Sequence, residues 1–418
     1  MAEPGSLPPS LGRVGDAWAA SGLRWCVLHP AADPAMHRGD VDVLIHPADL
    51  DPAGLVLASL GFARLPRGER GAHFLGYDEA DGQWLWLHIV DELTFGPYQA
   101  LRTGAAEACL ARRLPGRPPV LDPSDEFWVT LLHRLLDRGS LTGAHRARLT
   151  GLRPSARVEG ELPASLPRVF PTAWTAARML VAVDAGDWRT LESLGSAAAR
   201  ACERRARREV GPRLAAAVRK LRGRVRSARG MRGVGVALLG PDGAGKSTLA
   251  SGLERTFPLP VRQVYMGLTG GMLRRVDKLQ IPGVVRVGRL LVIWSRYLRA
   301  QYHLARGRLV VFDRYIYDSE VPTPFPLGRS ARAARWIDGH ACPGPDVVVI
   351  LDAPGAVMHR RKGEYDPVML EEWRERFLGV RRRVPDVEIV DASRGPDLVL
   401  RDVSGRIWRR YRQRWKAR

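Results

Sequence analysis

The sequence predicts an α/β protein: a parallel-sheet domain at the C-terminus, a small α/β domain at the N-terminus, and a helical connecting region. Three observations carry this. From Val234 onward strand-like and helical stretches alternate, ending in RLVVFDRY, PDVVVILD and VEIVDA, which are continuous β-branched runs of the kind buried on both faces of a parallel sheet. Up to about residue 125, short apolar runs alternate with turn residues. Between them, from about Asp122 to Arg232, the chain reads helical. The expected boundaries are therefore 1–125, 126–231 and 232–418.

Within the first region RWCVLH, VDVLIH, HFLGY and WLWLHIV read as strands, and DLDPAGLVLASLGF as a helix between them. The second begins with DPSDEFWVTLLHRLLDRG, where Ser124 and Asp125 offer an N-cap and Gly139 a stop. A stretch rich in Pro, Gly and Arg (GLRPSARVEGELPASLPRVFP) interrupts it before a long Ala/Arg helix. The chain closes on RIWRRYRQRWKAR, whose Ile407, Trp408, Tyr411 and Trp415 recur at near-helical spacing, predicting an amphipathic last helix packed on its domain.

The formal charge is +21, so the surface attracts polyanions. Arg204 to Arg232 and Arg406 to Arg418 concentrate that charge, but no nucleic-acid-binding motif accompanies it; solvated helix faces are the expected reading of both clusters, with weak, nonspecific nucleic-acid or membrane affinity as the alternative. Cys26, Cys109, Cys202 and Cys342 are far apart and indicate neither a zinc site nor a disulfide framework. The start MAEPGSLPPS lacks a charged, apolar leader, and no run of about 18 apolar residues occurs. A cytoplasmic, reduced protein without a membrane span is the expectation.

The stretch VGVALLGPDGAGKSTLASGL carries the chemistry. An apolar strand ends at Gly240 and a helix opens near Lys246, so Gly240, Asp242, Gly243, Ala244, Gly245, Lys246, Ser247 and Thr248 form a loop at a helix N-terminus. Its glycines allow successive N–H groups to turn inward around a polyphosphate. Lys246 suits the β- and γ-phosphates of ATP, and the Ser247 hydroxyl suits the shell of a bound Mg²⁺. The chain has only five lysines among 65 basic residues, so this pattern arises by chance about 0.005 times in such a composition. Arginine's broad fork would fit poorly where a slim ammonium must enter the nest.

Over about Val234 to Arg418 the residues resemble the thymidylate kinase family of P-loop nucleoside monophosphate kinases. The resemblance rests, in order, on GPDGAGKST, on Asp313-Arg314-Tyr315 at a strand end, on PDVVVILDAPGAVMHRRKGEYD, and on VEIVDASRGPDLVLRDVSGRIW. It implies ATP and Mg²⁺ as cofactors, with Asp313 organising the metal or the acceptor and Arg314 clamping the acceptor's phosphate. Arg360, Arg361 and Lys362 would bring lid charge over the migrating phosphoryl group, since the loop position after Asp242 is Gly243. Asp242 would accept a hydrogen bond from the acceptor sugar, and Asp391 to Ser393 would lie near adenine. After Tyr315 the family's Ala-Tyr-Gln is absent, IYDSEVPTPFPLG standing in its place with Ser319 as the one matching residue, so the acceptor stays open.

In the first region HRGDVDVLIHPADL places Asp40 and Asp42 two apart on one strand face, where two carboxylates can share Mg²⁺. This is similar to the nucleotidyltransferase superfamily, although Trp86 and His88 occupy the positions of its third carboxylate and His29-Pro30 replaces its Gly-Ser turn. His73 and His88 are further candidate metal ligands beside Asp40 and Asp42.

The expected function is an ATP-dependent phosphotransferase acting on a small-molecule acceptor, a nucleoside monophosphate among the candidates. The alternatives are an ATP-binding regulatory or sensor module and a bifunctional kinase and nucleotidyltransferase. No specific nucleic-acid partner is expected, and the oligomeric state is open, a homodimer included.

Overall fold

The computed structural model describes residues 9–28, 40–65, 71–208, 232–266, 282–317, 321, 328–384 and 386–416. The chain forms two compact units, Met1–Asp78 with Gln83–Val225, and Glu79–Gly82 with Arg226–Arg418.

Unit 1 begins with α1 (Pro9–Ala20), β1 (Trp25–Val27), β2 (Asp40–Ile45), α2 (Leu50–Ser59), β3 (Ala63–Leu65), β4 (Ala72–Asp78) and β5 (Gln83–Val90). The sheet order is β1-β2-β5-β4-β3, with β2 and β5 parallel and the other neighbours antiparallel. Alternation along these strands sends Val41, Val43, Ile45, Phe74, Leu85, Leu87 and Ile89 to one face. There they pack with Leu11, Val14 and Trp18 of α1 and with Ala53 and Leu57 of α2. All four strands read from the sequence are present, as is the helix between them. The short β3 and the opening helix α1 were not anticipated, because a three-residue strand and a Pro/Gly-rich start carry little periodic signal.

Cys26 and Leu44 belong instead to a second hydrophobic cluster, built largely by helices. These follow a short ribbon of β6 (Thr94–Phe95) and β7 (Leu101–Arg102). They are α3 (Ala106–Arg112), α4 (Pro123–His133), α5 (Gly143–Leu152), α6 (Glu161–Ala164), α7 (Ala176–Asp184) and α8 (Trp188–Arg208). Helix α4 buries Phe127, Trp128, Leu131 and Leu132 completely. At roughly 1.5–3 kcal/mol for each such side chain, burial rather than helix propensity holds it in place.

Its cap is not where the sequence reading put it. Asp122 accepts from the Ser124 amide at 3.0 Å, one residue before Pro123, whose fixed φ suits the first helical position. Asp125 is instead buried against Arg112, at 3.1 Å to each carboxylate oxygen. The stop at Gly139 stands, with φ +71, after one π-type turn from Arg134 to Arg138. The expected long Ala/Arg helix is two helices, parted where Gly186 takes φ +65.

Unit 2 alternates strand and helix as its sequence predicts. Its elements are β8 (Gly235–Leu239), α9 (Lys246–Thr256), β9 (Val261–Tyr265), α10 (Pro282–Ala305), β10 (Leu309–Asp313), α11 (Arg329–Gly339), β11 (Val347–Asp352), α12 (Gly355–Lys362), α13 (Pro367–Gly379), β12 (Val387–Asp391) and α14 (Pro396–Lys416). All five strands run parallel in the order β12-β11-β8-β10-β9.

The oily strands that suggested two-sided burial have it. Ala237, Leu239, Val310, Phe312, Val348 and Ile350 pack with Ile293, Ala300 and Leu304 of α10. The last helix is amphipathic as expected, with Val403, Ile407, Trp408 and Tyr411 buried. It lies close to α9, since a Cβ on Gly252 would come within 3.2 Å of Leu400. Ser319 and most of the first basic cluster, residues 209–231, lie outside the described residues.

Candidate functional site

The parallel sheet dictates where a ligand goes. The chain leaves β8 at the centre, builds β9 and β10 on one side of it and β11 and β12 on the other, so the strand order reverses beside β8. In open parallel sheets the crevice at the carboxyl ends next to such a reversal is the binding position. The Gly240–Ser247 loop occupies that end.

Three glycines in the loop have positive φ: Gly240 at +142, Gly243 at +87 and Gly245 at +102. Gly243 is constrained twice, because a Cβ there would lie 2.7 Å from the Met358 carbonyl oxygen in α12. Gly245 faces open space, with nothing within 4 Å of where its Cβ would be. Directly after it α9 begins, so the open side of the loop meets the first N–H groups and the positive end of a helix. The hydroxyl-bearing Ser247 and Thr248 are exposed there.

Cations converge on the loop. Lys246 turns back over it, donating from Nζ to the carbonyls of Gly240 at 2.7 Å and Pro241 at 2.8 Å. The same ammonium lies 3.7 Å from Asp242 Oδ1, and Arg314 Nη2 reaches that oxygen at 3.4 Å. Two residues far apart in sequence are thereby brought to one carboxylate. Lys362 of α12 is held above the usual lysine range, first by its hydrogen bond to Glu364 and also by the field of Asp242.

The Asp313-Arg314-Tyr315 turn shows how the sequence positions these groups. Asp313 ends β10, level with Leu238 of β8 and two residues short of Gly240. Tyr315 is fully buried and donates from its hydroxyl to the Pro343 carbonyl at 2.6 Å, anchoring the turn. Burial raises its phenol well above the ordinary range and keeps it neutral. Between them Arg314 takes the left-handed conformation, φ +62, unusual for a side chain of its size. The carboxylate of Asp313 has no hydrogen-bond or ion-pair partner among the described residues.

The basic segment expected to form a lid is the C-terminal end of α12. Arg361 lines a cavity with Gly245, Thr248, Ala392 and Arg394, next to the Gly240–Ser247 loop. Arg360 is exposed and makes no side-chain hydrogen bond or ion pair among the described residues. The start of α12 is fixed by a network that sequence reasoning missed. The Gly355 amide donates to Glu371 Oε2 at 2.6 Å, while Arg374 of α13 bridges Glu371 and Asp352 at the end of β11. The amide, followed by Arg374, holds the Glu371 carboxyl below its usual range. The only trace in sequence is a Glu and an Arg three apart on a helix, which is commonplace.

Beside the same cavity, Asp391 accepts from the Ser393 amide at 2.9 Å and is held below the usual aspartate range chiefly by Ser393. It closes the turn that presents Ala392.

In unit 1, Asp40 and Asp42 lie on β2, opposite Trp86 and His88 of β5. The Asp40 side chain is outside the described residues. Asp42 Oδ1 lies 2.7 Å from His88 Nδ1, and the His88 ring stacks on His73 with centroids 4.3 Å apart. Trp86 Nε1 donates to His73 Nδ1 at 3.3 Å. Among the described residues no cluster of three or more His, Cys, Asp or Glu is arranged to hold a metal ion.

No helix among the described residues is long and apolar enough to cross a membrane. No family model matches the chain, and no curated protein matches it. Among solved structures, the thymidylate kinase of Candida albicans is similar over 42% of this chain and 91% of that chain, at 19% sequence identity and a TM-score of 0.33.

Proposed function

We propose that this protein is an ATP-dependent phosphotransferase of the thymidylate kinase-like type, passing the γ-phosphoryl group of ATP to a nucleotide or related small-molecule acceptor. One observation carries the reading: a glycine nest opens onto a helix N-terminus at the strand-order reversal, with Lys246 and Arg314 both reaching Asp242 beside it.

The donor set suits a triphosphate. Backbone N–H groups of the loop and the α9 dipole favour its negative charge, and the Lys246 ammonium would exchange the Gly240 and Pro241 carbonyls for a phosphate oxygen, a stronger partner. Ser247 and Asp313 would hold Mg²⁺, which supplies neutralisation of charge on the phosphates when bound.

Phosphoryl transfer demands little covalent chemistry of the protein and much positioning of charge. Arg314 sits across the loop from Lys246 and would clamp the acceptor's anionic group. Arg361, with Arg360 and Lys362 on the same turn, would cover the transferring group with positive charge and exclude water. The P–O bond to the ADP leaving group breaks as a bond to the acceptor oxygen forms.

The test is ADP release from ATP and Mg²⁺ across nucleoside monophosphates, nucleosides and sugars, comparing wild type with Lys246→Ala. An acceptor-stimulated rate present only in the wild type supports the kinase and identifies the acceptor class. ATP binding without stimulation by any acceptor would instead favour a nucleotide sensor.

A further inference from the structure

The end of unit 2 opposite the Gly240–Ser247 loop gathers charge of its own. Arg262 on β9 stands level with Val310 of β10, so strand alternation turns both side chains to the face that α10 covers. There α10 carries Arg299, His303 and Arg306, four and three residues apart and hence on one side of the helix. At about 100° per residue, Arg299 and His303 lie about 100° and 140° around α10 from the exposed Leu298. A turn at Gly307, φ +74, ends the helix, and the Arg306 and Arg308 amides both donate to the His303 carbonyl, at 3.1 and 3.2 Å. Arg308 then reaches back, donating from Nη1 to His303 Nδ1 at 2.9 Å, and Arg306 lies 4.7 Å above the Tyr302 ring.

Four arginines thus surround one buried imidazole, and none of the four forms an ion pair among the described residues. Elsewhere in the unit Arg374, Arg394, Arg406 and Arg414 each meet a carboxylate. Here the sequence offers none nearby: residues 281–312 contain no Asp or Glu. Glu254 is engaged by Gln263, which alternation places on the other face of β9, and Asp346 at the same end of the sheet is held by Arg414 and the Gly235 amide. The negative end of the α10 dipole accounts for Arg306 and Arg308, but not for Arg262 on a strand or for Arg299 more than a turn earlier. Burial first, then Arg308, Arg262, Arg299 and Arg306, hold His303 below the usual histidine range, so the imidazole stays neutral at their centre.

We propose that Arg262, Arg299, Arg306 and Arg308 bind a di- or triphosphate group at the amino ends of β9 and β10, a site separate from the Gly240–Ser247 loop. A single phosphate brings only about two charges against four guanidinium groups, whereas a chain of two or three phosphates balances them.

Calorimetric titration of the full chain with inorganic tripolyphosphate tests this. Lys246→Ala removes the cation of the loop and should leave one binding event, weakened by salt. Adding Arg262→Gln and Arg299→Gln should weaken that event at least about tenfold. Both arginines are exposed, and Arg262 bonds only the carbonyl of its neighbour Val261, so the fold does not depend on them. In the wild type, with no substitution at all, the His303 imidazole followed by NMR should titrate at higher pH once tripolyphosphate is bound, because the anion offsets the surrounding positive charge. No binding in Lys246→Ala, or binding unchanged by the glutamine pair, would overturn the proposal, the second outcome assigning the anion to arginines elsewhere. A His303 titration unmoved by saturating tripolyphosphate would overturn it equally.

Discussion

At the residue scale the account turns on Lys246 and Gly243. Lys246 reaches the carbonyls of Gly240 and Pro241 and lies 3.7 Å from Asp242, contacts made within its own loop, so shortening it to alanine disturbs that loop first. Lys246→Ala should reduce turnover by at least about 10²–10³, as expected for losing a preorganised charge, with the thermal midpoint within a few degrees of wild type. Steady-state kinetics beside a melting curve read both. Gly243 behaves oppositely: its φ of +87 and the Met358 carbonyl 2.7 Å from a built Cβ leave no room for a side chain. Gly243→Ala should destabilise unit 2 by about 1–3 kcal/mol, measured by chemical denaturation.

Lys246 was legible because the strand, the spacing of the glycines and the scarcity of lysine all pointed to it. The meeting of Arg314 with Asp242 was not. Seventy-two positions separate them, and only the parallel register that sets Asp313 level with Leu238 brings them together.

At the scale of elements, α12 depends on its attachment to β11 and α13. The amide of Gly355, Glu371 and Arg374 hold the helix at its start, whereas Arg360, Arg361 and Lys362 at its end are exposed. Glu371→Gln loses the charge but keeps an acceptor for the amide. It should lower acceptor-stimulated turnover about tenfold through misplaced lid cations, with a smaller effect on ATP affinity; separate measurement of kcat and of ATP binding checks this.

Helix α4 makes a pH prediction. Burial raises the Glu126 carboxyl above its ordinary value, against the opposing hydrogen bond from Arg148 at 2.8 Å. The folded state therefore holds that proton more tightly than the unfolded chain does. The stability so gained is complete below the ordinary glutamate pKa and is lost as pH rises through the raised one. Glu126→Gln should flatten this decline in melts taken across the weakly acidic range. Strand and helix types were readable from periodicity, but caps and anchors were not. Ser124 and Asp125 read as caps, but the cap is Asp122, selected by Pro123 at the first helical position and by the pull of Arg112 on Asp125.

At the scale of the molecule, two units with separate cores predict two thermal transitions. ATP with Mg²⁺ at about 100 times its Kd should raise the stability of the unit spanning Arg226–Arg418 by about 2.7 kcal/mol and leave the other transition in place. Differential scanning calorimetry with and without nucleotide checks it. If only the transition of unit 1 moved, the nucleotide site would belong there. In unit 1 the Asp-x-Asp pattern was visible in the sequence, but its engagement with His88 required the β2–β5 register.

The most direct measurement follows the label of ATP. With wild-type protein, Mg²⁺ and a stimulating acceptor, γ-labelled ATP should transfer its label to the acceptor, α-labelled ATP should yield labelled ADP only, and Lys246→Ala should do neither. Transfer of the α label with release of pyrophosphate, or γ transfer undiminished in Lys246→Ala, would contradict the account.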